Sequence, residues 1–509
     1  MARGGIDKKS WVLIGIAVAI GVANIVLAAI MLFPKPYRTS WGEEIDRRDT
    51  YLHIEGQTFT QDDLEAIASI RTLKSLTLED CNVAECRLPD LKFASRGIYE
   101  LEFINVAGLW DLSFLSNVSV DRLVLTDCAK VDDLSTINLD KLTELDISGT
   151  AVTDLSPLAG SSIWQLSFAR TKVSDITPLA KVRDLRHIDG SDTQVSSLDA
   201  ISEFVMPSSI DFSGCPIEEL PKDLDLSYTY ELDLSRTKIR DFSVLGKCMG
   251  LVRLDLAGNP QLEDLSWLDD ESIRSLERLN LAGTGLEKDD LAFLHKCTEL
   301  EELYLDGIAL GDLNTLGELR NLTYLSAVGC DLGDVSGIKR LPEIETLLVG
   351  YNHIADLSGL PEPSTEWQEM ILDLSHNGLT SLKGLPAGAY RLLLLQGNDI
   401  DYATTLSPGV DSYMIVTSWN DSIEKSALSQ YSRFSKLYVL GYPAERGDEP
   451  ADGFSSYQLV PTNPDQVLYA LKNDGFDYSL YVDFEWYVIY AESQGDGSAD
   501  NGEAFEQPY

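Results

Sequence analysis

Short apolar segments recur along the chain at a nearly constant spacing. Within residues 151–198 the same apolar position returns after 21 and then 22 residues, at Val152, Val173 and Val195. Between these positions lie brief alternating patterns such as Ile163-x-x-Leu166-x-Phe168. Alternation over so few residues predicts a short strand with one buried face. The fixed period predicts a chain built from stacked copies of one small unit.

The central apolar residue of each predicted strand can be followed through most of the chain. Fifteen such positions, mostly 21–25 residues apart, are Leu76, Leu101, Leu123, Leu145, Leu166, Ile188, Ile210, Leu232, Leu254, Leu279, Leu303, Leu325, Leu347, Leu372 and Leu393. Each unit would pack only against its neighbours, so a chain of 509 residues can bury one continuous core. The predicted fold class is therefore an α/β solenoid with a parallel sheet.

A second periodic position follows each central residue by five. It holds small polar residues or cysteine: Thr150, Thr171, Thr193, Thr237, Thr284, Asn259, Asn352, Asn377, Asn398, Cys81, Cys128, Cys215 and Cys330. A side chain turned inward there can bond the backbone of the adjoining repeat, and Asn does so most fully. Val106 and Ile308 interrupt this ladder. The cysteines are expected to be buried thiols, since C-x-x-C spacing for zinc is absent.

One short motif recurs on the far side of the predicted units. It reads D-L-S-P-L at Asp154–Leu158, D-I-T-P-L at Asp175–Leu179, and similarly at Asp111–Leu115, Asp264–Leu268 and Asp356–Leu360. The Asp can cap a short helical turn that the Pro begins. With these motifs, the chain resembles the 22-residue leucine-rich repeats of the internalin-like and phosphatase-regulator-like class. The resemblance covers about residues 73–400 and implies a horseshoe of about 15 repeats that binds protein without catalysis.

The N-terminal region carries a long uncharged segment. Residues 11–33 contain no charge and at 1.5 Å per residue would span about 35 Å, enough for a bilayer. We expect a retained single-pass transmembrane helix, with residues 1–10 as a cytoplasmic tail, 34–50 as a linker and the repeats outside the cell membrane. An N-terminal cap is expected over 51–72, with Thr60 as the N-cap of a helix over 61–70.

The chain beyond the repeats has a weaker pattern. Residues 401–490 are expected to form degenerate repeats or a cap module, with strands at Tyr413/Ile415 and Leu437/Val439. Residues 491–509 are acidic and Gly-rich, a composition typical of disorder.

Acidic residues dominate the charge of the chain. Lys and Arg number 40 against 82 Asp and Glu, a formal charge of −42, which makes nucleic acid an improbable partner. A file of carboxylates follows the central strand residues, and farther along the face becomes more apolar. We expect these side chains to contact a protein partner, and the carboxylates to meet a basic surface of it. The expected contact residues are Asp189, Asp211, Asp233, Asp255, Tyr304 and Tyr324. The alternative is that Asp is ordinary repeat sequence that promotes solubility.

Motifs for catalysis are missing from the sequence. No Walker A, G-x-S-x-G or H-E-x-x-H occurs, and no metal-ligand spacing is found, so neither an enzyme, a cofactor nor a metal is expected. The expected function is recognition of another protein by a membrane-anchored repeat domain at the cell surface. A membrane-tethered intracellular scaffold remains the alternative. The partner and the oligomeric state do not follow from the sequence.

Overall fold

The structure is a computed structural model that describes residues 36–95, 97–248, 250–268, 273–360, 370–401, 410–418 and 436–440. Two compact units divide the chain, Met1–Ser275 and Leu276–Tyr509, here called unit 1 and unit 2. The predicted transmembrane segment 11–33 and the predicted tail 491–509 lie outside the described residues. In the part of the chain that is described, no helix has the length and apolar character to cross a bilayer.

Unit 1 opens with a small cap. Strands β1 (Tyr37–Arg38) and β2 (Glu44–Ile45) form an antiparallel pair, and helix α1 spans Gln61–Ala68. Thr60 is the N-cap as predicted, in a reciprocal arrangement: its hydroxyl accepts from the Asp63 amide, and the Asp63 carboxylate accepts from the Thr60 amide at 3.0 Å. Asp63 is fully buried and also accepts from the Tyr37 hydroxyl and the Ser40 amide, so one carboxylate joins the hairpin to the helix.

Ten parallel strands then follow among the described residues of unit 1. Their bounds are β3 Tyr51–Glu55, β4 Ser75–Glu79, β5 Glu100–Ile104, β6 Arg122–Val124, β7 Glu144–Asp146, β8 Gln165–Ser167, β9 His187–Asp189, β10 Ser209–Asp211, β11 Glu231–Asp233 and β12 Arg253–Asp255. The central apolar residues pair directly across the strands, as in Ile188 with Ile210 and Ile210 with Leu232. Those of β4–β12 are all buried, so the period of the sequence sets the register of the sheet.

Unit 2 continues the same arrangement within itself. Its described strands are β13 Arg278–Asn280, β14 Glu302–Tyr304, β15 Tyr324–Ser326, β16 Thr346–Leu348, β17 Met370–Asp373, β18 Gly388–Leu394, β19 Val410–Ser418 and β20 Lys436–Leu440. Strands β19 and β20 lie where the sequence predicted degenerate strands, with Ile415 and Leu437 in register with Leu393.

Short 3₁₀ turns connect many of the described strands. They span Leu88–Asp90, Ser113–Leu115, Ser156–Leu158, Thr177–Lys181, Asp199–Glu203 and Ser243–Lys247 in unit 1, and Lys288–Lys296, Leu313–Leu316 and Ser336–Arg340 in unit 2. Asp154 accepts the Ser156 amide at 2.8 Å and Asp175 accepts the Thr177 amide at 2.8 Å. The repeated Asp therefore supports the start of the turn, but the N-cap position is held by the next residue, Leu155 or Ile176, without a side-chain capping bond, so the prediction of Asp as the cap is wrong.

The inward polar ladder is present, with one correction. Asn259 spans two repeats: its amide donates to the carbonyls of Leu234 and Leu256, each at 2.9 Å, and its oxygen accepts the Thr237 amide. Cys330 also reaches the preceding repeat, through Sγ to the Leu305 carbonyl at 3.1 Å. The expectation that Thr does the same is wrong, because Thr150 donates to the Ile147 carbonyl of its own repeat. The Thr side chain is shorter than that of Asn, and its hydroxyl is used within its own coil.

Candidate binding surface

Four carboxylates form a file across neighbouring strands of unit 1. Asp189, Asp211, Asp233 and Asp255 each follow the central apolar residue and are paired in register on β9–β12. Neighbouring parallel strands are about 4.8 Å apart, so four like charges lie in one row. All four side chains are half-buried and belong to the face of the sheet opposite the core, here called the solvent face. We call these four residues the acidic file.

Each carboxylate of the acidic file has a local structural role that the sequence alone did not reveal. Asp211 accepts the amide of Ser213 at 2.8 Å, and Asp233 accepts the amide of Ser235 at 2.9 Å. Asp189 and Asp255 make the same bond to the residue two positions on. The side chain closes the turn that ends each strand. The signal in the sequence was the repeated spacing of Asp and Ser by two residues, which holds at Asp189, Asp211 and Asp233, while Ala257 follows Asp255.

Crowding of the file perturbs its acid–base behaviour. Burial and the neighbouring Asp233 carboxylate raise the pKa of Asp211 to about 7. Burial and the Asp255 carboxylate raise the pKa of Asp233 to about 6, although the Ser235 amide and Arg236 act in the opposite direction. A row of carboxylates this close gains from any cation that reaches it, because the cation replaces repulsion by attraction.

The other residues of the solvent face set the limits of the file. On the side of the lower-numbered repeats, the Ser167 hydroxyl donates to Asp189 at 2.9 Å. Farther in that direction, Arg122 pairs with Glu100 at 2.9 Å, with Glu144 at 3.2 Å and with Glu102. The single charge of Arg122 thus offsets part of the charge of these three glutamates.

Glu231 extends the charge of the acidic file along its strand. It precedes Asp233 by two residues on β11, so both side chains lie on the same face. Arg253 stands 3.9 Å from Glu231 across the two strands. The pair is exposed to solvent and screened, so it neutralises little of the local field.

The two tyrosines predicted as contact residues lie in unit 2 and are buried. Tyr304 is 8% exposed and Tyr324 is 6% exposed, with ring centroids 4.8 Å apart. The Tyr304 hydroxyl donates to Glu302 at 3.1 Å, and the Arg278 guanidinium lies 4.9 Å from the Tyr304 ring centroid. The expected exposed apolar surface is therefore wrong at these positions, because the rings pack against each other and against charged neighbours. Leu348, Leu392 and Leu394, on other strands of unit 2, are buried too.

Asp373 occupies the file position in unit 2 but in a different setting. It is 3% exposed and lies between positions held by Leu348 and Leu394 on the neighbouring strands. Burial raises its pKa to about 6, and its carboxylate accepts the Ser375 amide at 2.8 Å. This carboxylate is inaccessible to a partner and serves the turn.

No group of three or more His, Cys, Asp or Glu in the described part of the chain has the geometry to hold a metal ion. The six described cysteines other than Cys86 are buried free thiols, and burial raises the pKa of each, to about 11 for Cys128. Within the described ranges, the arrangement of the acidic file fits a surface for recognition.

The chain is similar to known proteins over parts of its length. No protein-family model matches the chain. It is 34% identical over 161 residues to a probable disease resistance protein of Arabidopsis thaliana and 39% identical over 84 residues to leucine-rich repeat-containing protein 56 of Homo sapiens. These matches cover 30% and 16% of this chain, and the chain spans only 12% and 15% of those relatives.

A solved internalin structure from Listeria monocytogenes also resembles the chain. It matches over 56% of this chain and 90% of its own length, with 20% sequence identity and a TM-score of 0.47. The strand register, the inward ladder and the turns closed by Asp are the features that define the repeat in this molecule. The chain has a leucine-rich repeat fold.

Proposed function

We propose that the chain binds another protein through the solvent face of unit 1, with the acidic file at the centre of the contact. The observation that supports this proposal is the register of Asp189, Asp211, Asp233 and Asp255, which concentrates like charge on one half-buried row. A rigid sheet presents such a row with little loss of conformational freedom on binding. The partner surface would be basic. Tyr304 and Tyr324 take no part in it, because they are buried.

The charge distribution favours recognition over solubility as the role of the file. Solubility needs charge on an exposed surface, where it is well hydrated. The file instead lies half-buried, with two carboxyl groups whose pKa values are raised to about 7 and about 6. Holding like charges close together lowers the stability of the fold. Such an arrangement is typical of a site that binds a group of opposite charge.

Site-specific photo-crosslinking in the cells that make the protein tests this proposal. A photo-reactive residue at Gln165, exposed on β8 of the solvent face, is expected to capture a partner. The same residue at Lys181, exposed in a turn of the same unit, is the matched control. Capture from Lys181 and not from Gln165 would contradict the proposal, because the contact would then lie on the other side of the coils.

We further propose that residues 11–33 anchor the protein in a membrane with the repeats outside the cell. The support is the uncharged segment of 23 residues, with basic residues on its N-terminal side. Protease treatment of intact cells is expected to digest the repeats. Protection until the membrane is opened would favour the alternative, a membrane-tethered intracellular scaffold.

A further inference from the structure

Large apolar side chains are exposed along one edge of unit 1. Among the described residues, seven large apolar side chains are exposed: Tyr51, Tyr99, Trp110, Val205, Met206, Tyr228 and Tyr230. All except Trp110 begin a strand or stand within four residues before one. Exposed apolar residues that cluster on one edge mark an interaction surface more strongly than scattered ones do.

The densest part of this edge lies at the starts of β8, β9, β10 and β11. Here the Trp164 and His187 rings meet edge to face at 5.4 Å, and the His187 and Tyr230 ring centroids are 6.4 Å apart. Met206 and Tyr228 each stand three residues before paired strand residues, Ser209 and Glu231, and so occupy equivalent positions on adjacent coils. We call Trp164, His187, Val205, Met206, Tyr228 and Tyr230 the aromatic rim.

The loop that carries the two tyrosines is held in place by its backbone. Thr229 lies between them, is fully buried, and donates its hydroxyl to the Pro207 carbonyl at 3.0 Å. The Tyr230 amide donates to the Ser208 carbonyl at 3.0 Å. With Thr229 fixed inward, Tyr228 and Tyr230 remain exposed at 61% and 37%. Their exposure is therefore built into the fold.

The aromatic rim runs beside the acidic file. His187 and Asp189 lie two residues apart on β9, and Tyr230 precedes Asp233 by three residues. At about 3.3 Å per residue, the two rows are about 7–10 Å apart and both cross the strands. One protein segment can touch both rows at that separation.

We infer that the partner is a cationic protein segment whose basic side chains meet the acidic file while aromatic or large apolar side chains pack on the aromatic rim. This inference rests on the proposed function and names the chemistry of its partner. Charge selects the occupant: a second copy of this chain, with its formal charge of −42, would bring like charge to the file, and anionic lipid would be repelled. The rim supplies the apolar contact that a charged row lacks, and aromatic residues carry much of the binding energy in protein interfaces.

Selection of peptides from a random library tests the inference while the natural partner is still unidentified. Phage-displayed peptides are panned on the full-length chain, and the enriched peptides are synthesised and titrated. Enriched peptides are expected to contain both basic and aromatic residues. Their affinity should fall about tenfold or more with Tyr228→Ser/Tyr230→Ser, and likewise with Asp211→Asn/Asp233→Asn. Trp110→Ser removes an equally exposed aromatic residue away from the rim and should change the affinity less than about twofold.

Several outcomes would overturn the inference, and they separate it from the proposed function. If Asp211→Asn/Asp233→Asn weakens binding and Tyr228→Ser/Tyr230→Ser does not, the partner contacts the acidic file but not the aromatic rim. The proposed function then stands and this inference fails. Enriched peptides without basic residues, or no enrichment at all, would count against both rows. Val205→Ser/Met206→Ser provides a second rim variant, which should also weaken binding, in case the tyrosine substitutions alter the unfolding transition measured by circular dichroism.

Discussion

Asp211→Asn should stabilise the protein at neutral and higher pH and have no such effect in acid. Asn keeps the Oδ1 acceptor that closes the turn at the Ser213 amide, 2.8 Å away. It removes the negative charge that faces Asp233. The substitution therefore separates the two roles of the residue, turn closure and charge.

The magnitude follows from the shift of the pKa. In the folded state the pKa of Asp211 rises from 3.8 to about 7, so ionisation is harder than in the unfolded chain. A shift of about three units corresponds to at most about 4 kcal/mol. Burial is the largest cause of this shift and the Asp233 charge the second, and the solvent face is partly hydrated, so we expect a gain of about 1–2 kcal/mol in the free energy of unfolding.

The sign of the pH dependence is fixed by the direction of the shift. Because the folded state holds the proton more tightly, the free energy of unfolding falls as pH rises from the unfolded pKa of 3.8 toward the folded value of about 7. The Asn variant lacks this loss. Its advantage over the unchanged protein should be full at about pH 8 and nearly absent at about pH 3.

Urea unfolding followed by circular dichroism at both pH values measures this difference. Asp241→Asn is the matched control, since Asp241 makes the same bond, to the Ser243 amide at 2.9 Å, in a 3₁₀ turn. Hydrogen bonds from Ser243 lower the pKa of Asp241, so its ionised form stabilises the fold and the control should lose stability at about pH 8. Equal destabilisation by both variants at that pH would refute the idea that the acidic file is held under repulsion.

Three further predictions concern parts of the fold outside the file. Asn259→Ala removes three donated bonds, to the carbonyls of Leu234, Leu256 and Ala257, and three bonds accepted from Thr237 and Gln261. Urea unfolding should show a loss of about 3 kcal/mol, whereas a loss below about 1 kcal/mol would show that the ladder is dispensable. Gly214→Ala should destabilise by about 1–3 kcal/mol, because Gly214 has a φ of +68° and a Cβ there would lie 2.1 Å from the Asp192 carboxylate; an unchanged melting temperature would contradict this contact. Asp63→Asn should cost about 2 kcal/mol near neutral pH. Burial raises the pKa of Asp63, but bonds from Thr60 and Ser40 outweigh it and lower the pKa to about 2, so the loss should shrink below about pH 4 and disappear below about pH 2. A pH-independent loss would refute the role of the charge.

The parts of the fold that depend on residues close together in the sequence could be predicted. The strands lie at Leu145, Leu166 and the other central positions because a period of two on a short segment leaves one face to bury. Helix α1 was predicted from Thr60 and Asp63 because its cap is a local interaction. The turns that follow Asp154 and Asp175 are local in the same sense.

The candidate surface was only partly predictable. The acidic file was identified because it repeats with the strands, but its pKa shifts depend on distances across strands that the sequence does not give. Tyr304 and Tyr324 were expected to be exposed from their place in the period, and the contact between their rings reversed that expectation. Tyr228 and Tyr230 lie in a loop without periodicity, so only the structure shows that Thr229 holds them outward.

Affinity for the protein captured at Gln165 is the most direct test of recognition by the solvent face. The variant Asp211→Asn/Asp233→Asn/Asp255→Asn is compared with Asp154→Asn/Asp175→Asn/Asp241→Asn, which removes as many charges from residues that close turns in the same way. We predict binding about tenfold or more weaker for the first variant, with a smaller dependence on salt, and unchanged binding for the second. Equal affinity of the two variants would contradict recognition by the solvent face. The carboxylates of the acidic file would then affect binding no more than any other three carboxylates of the protein.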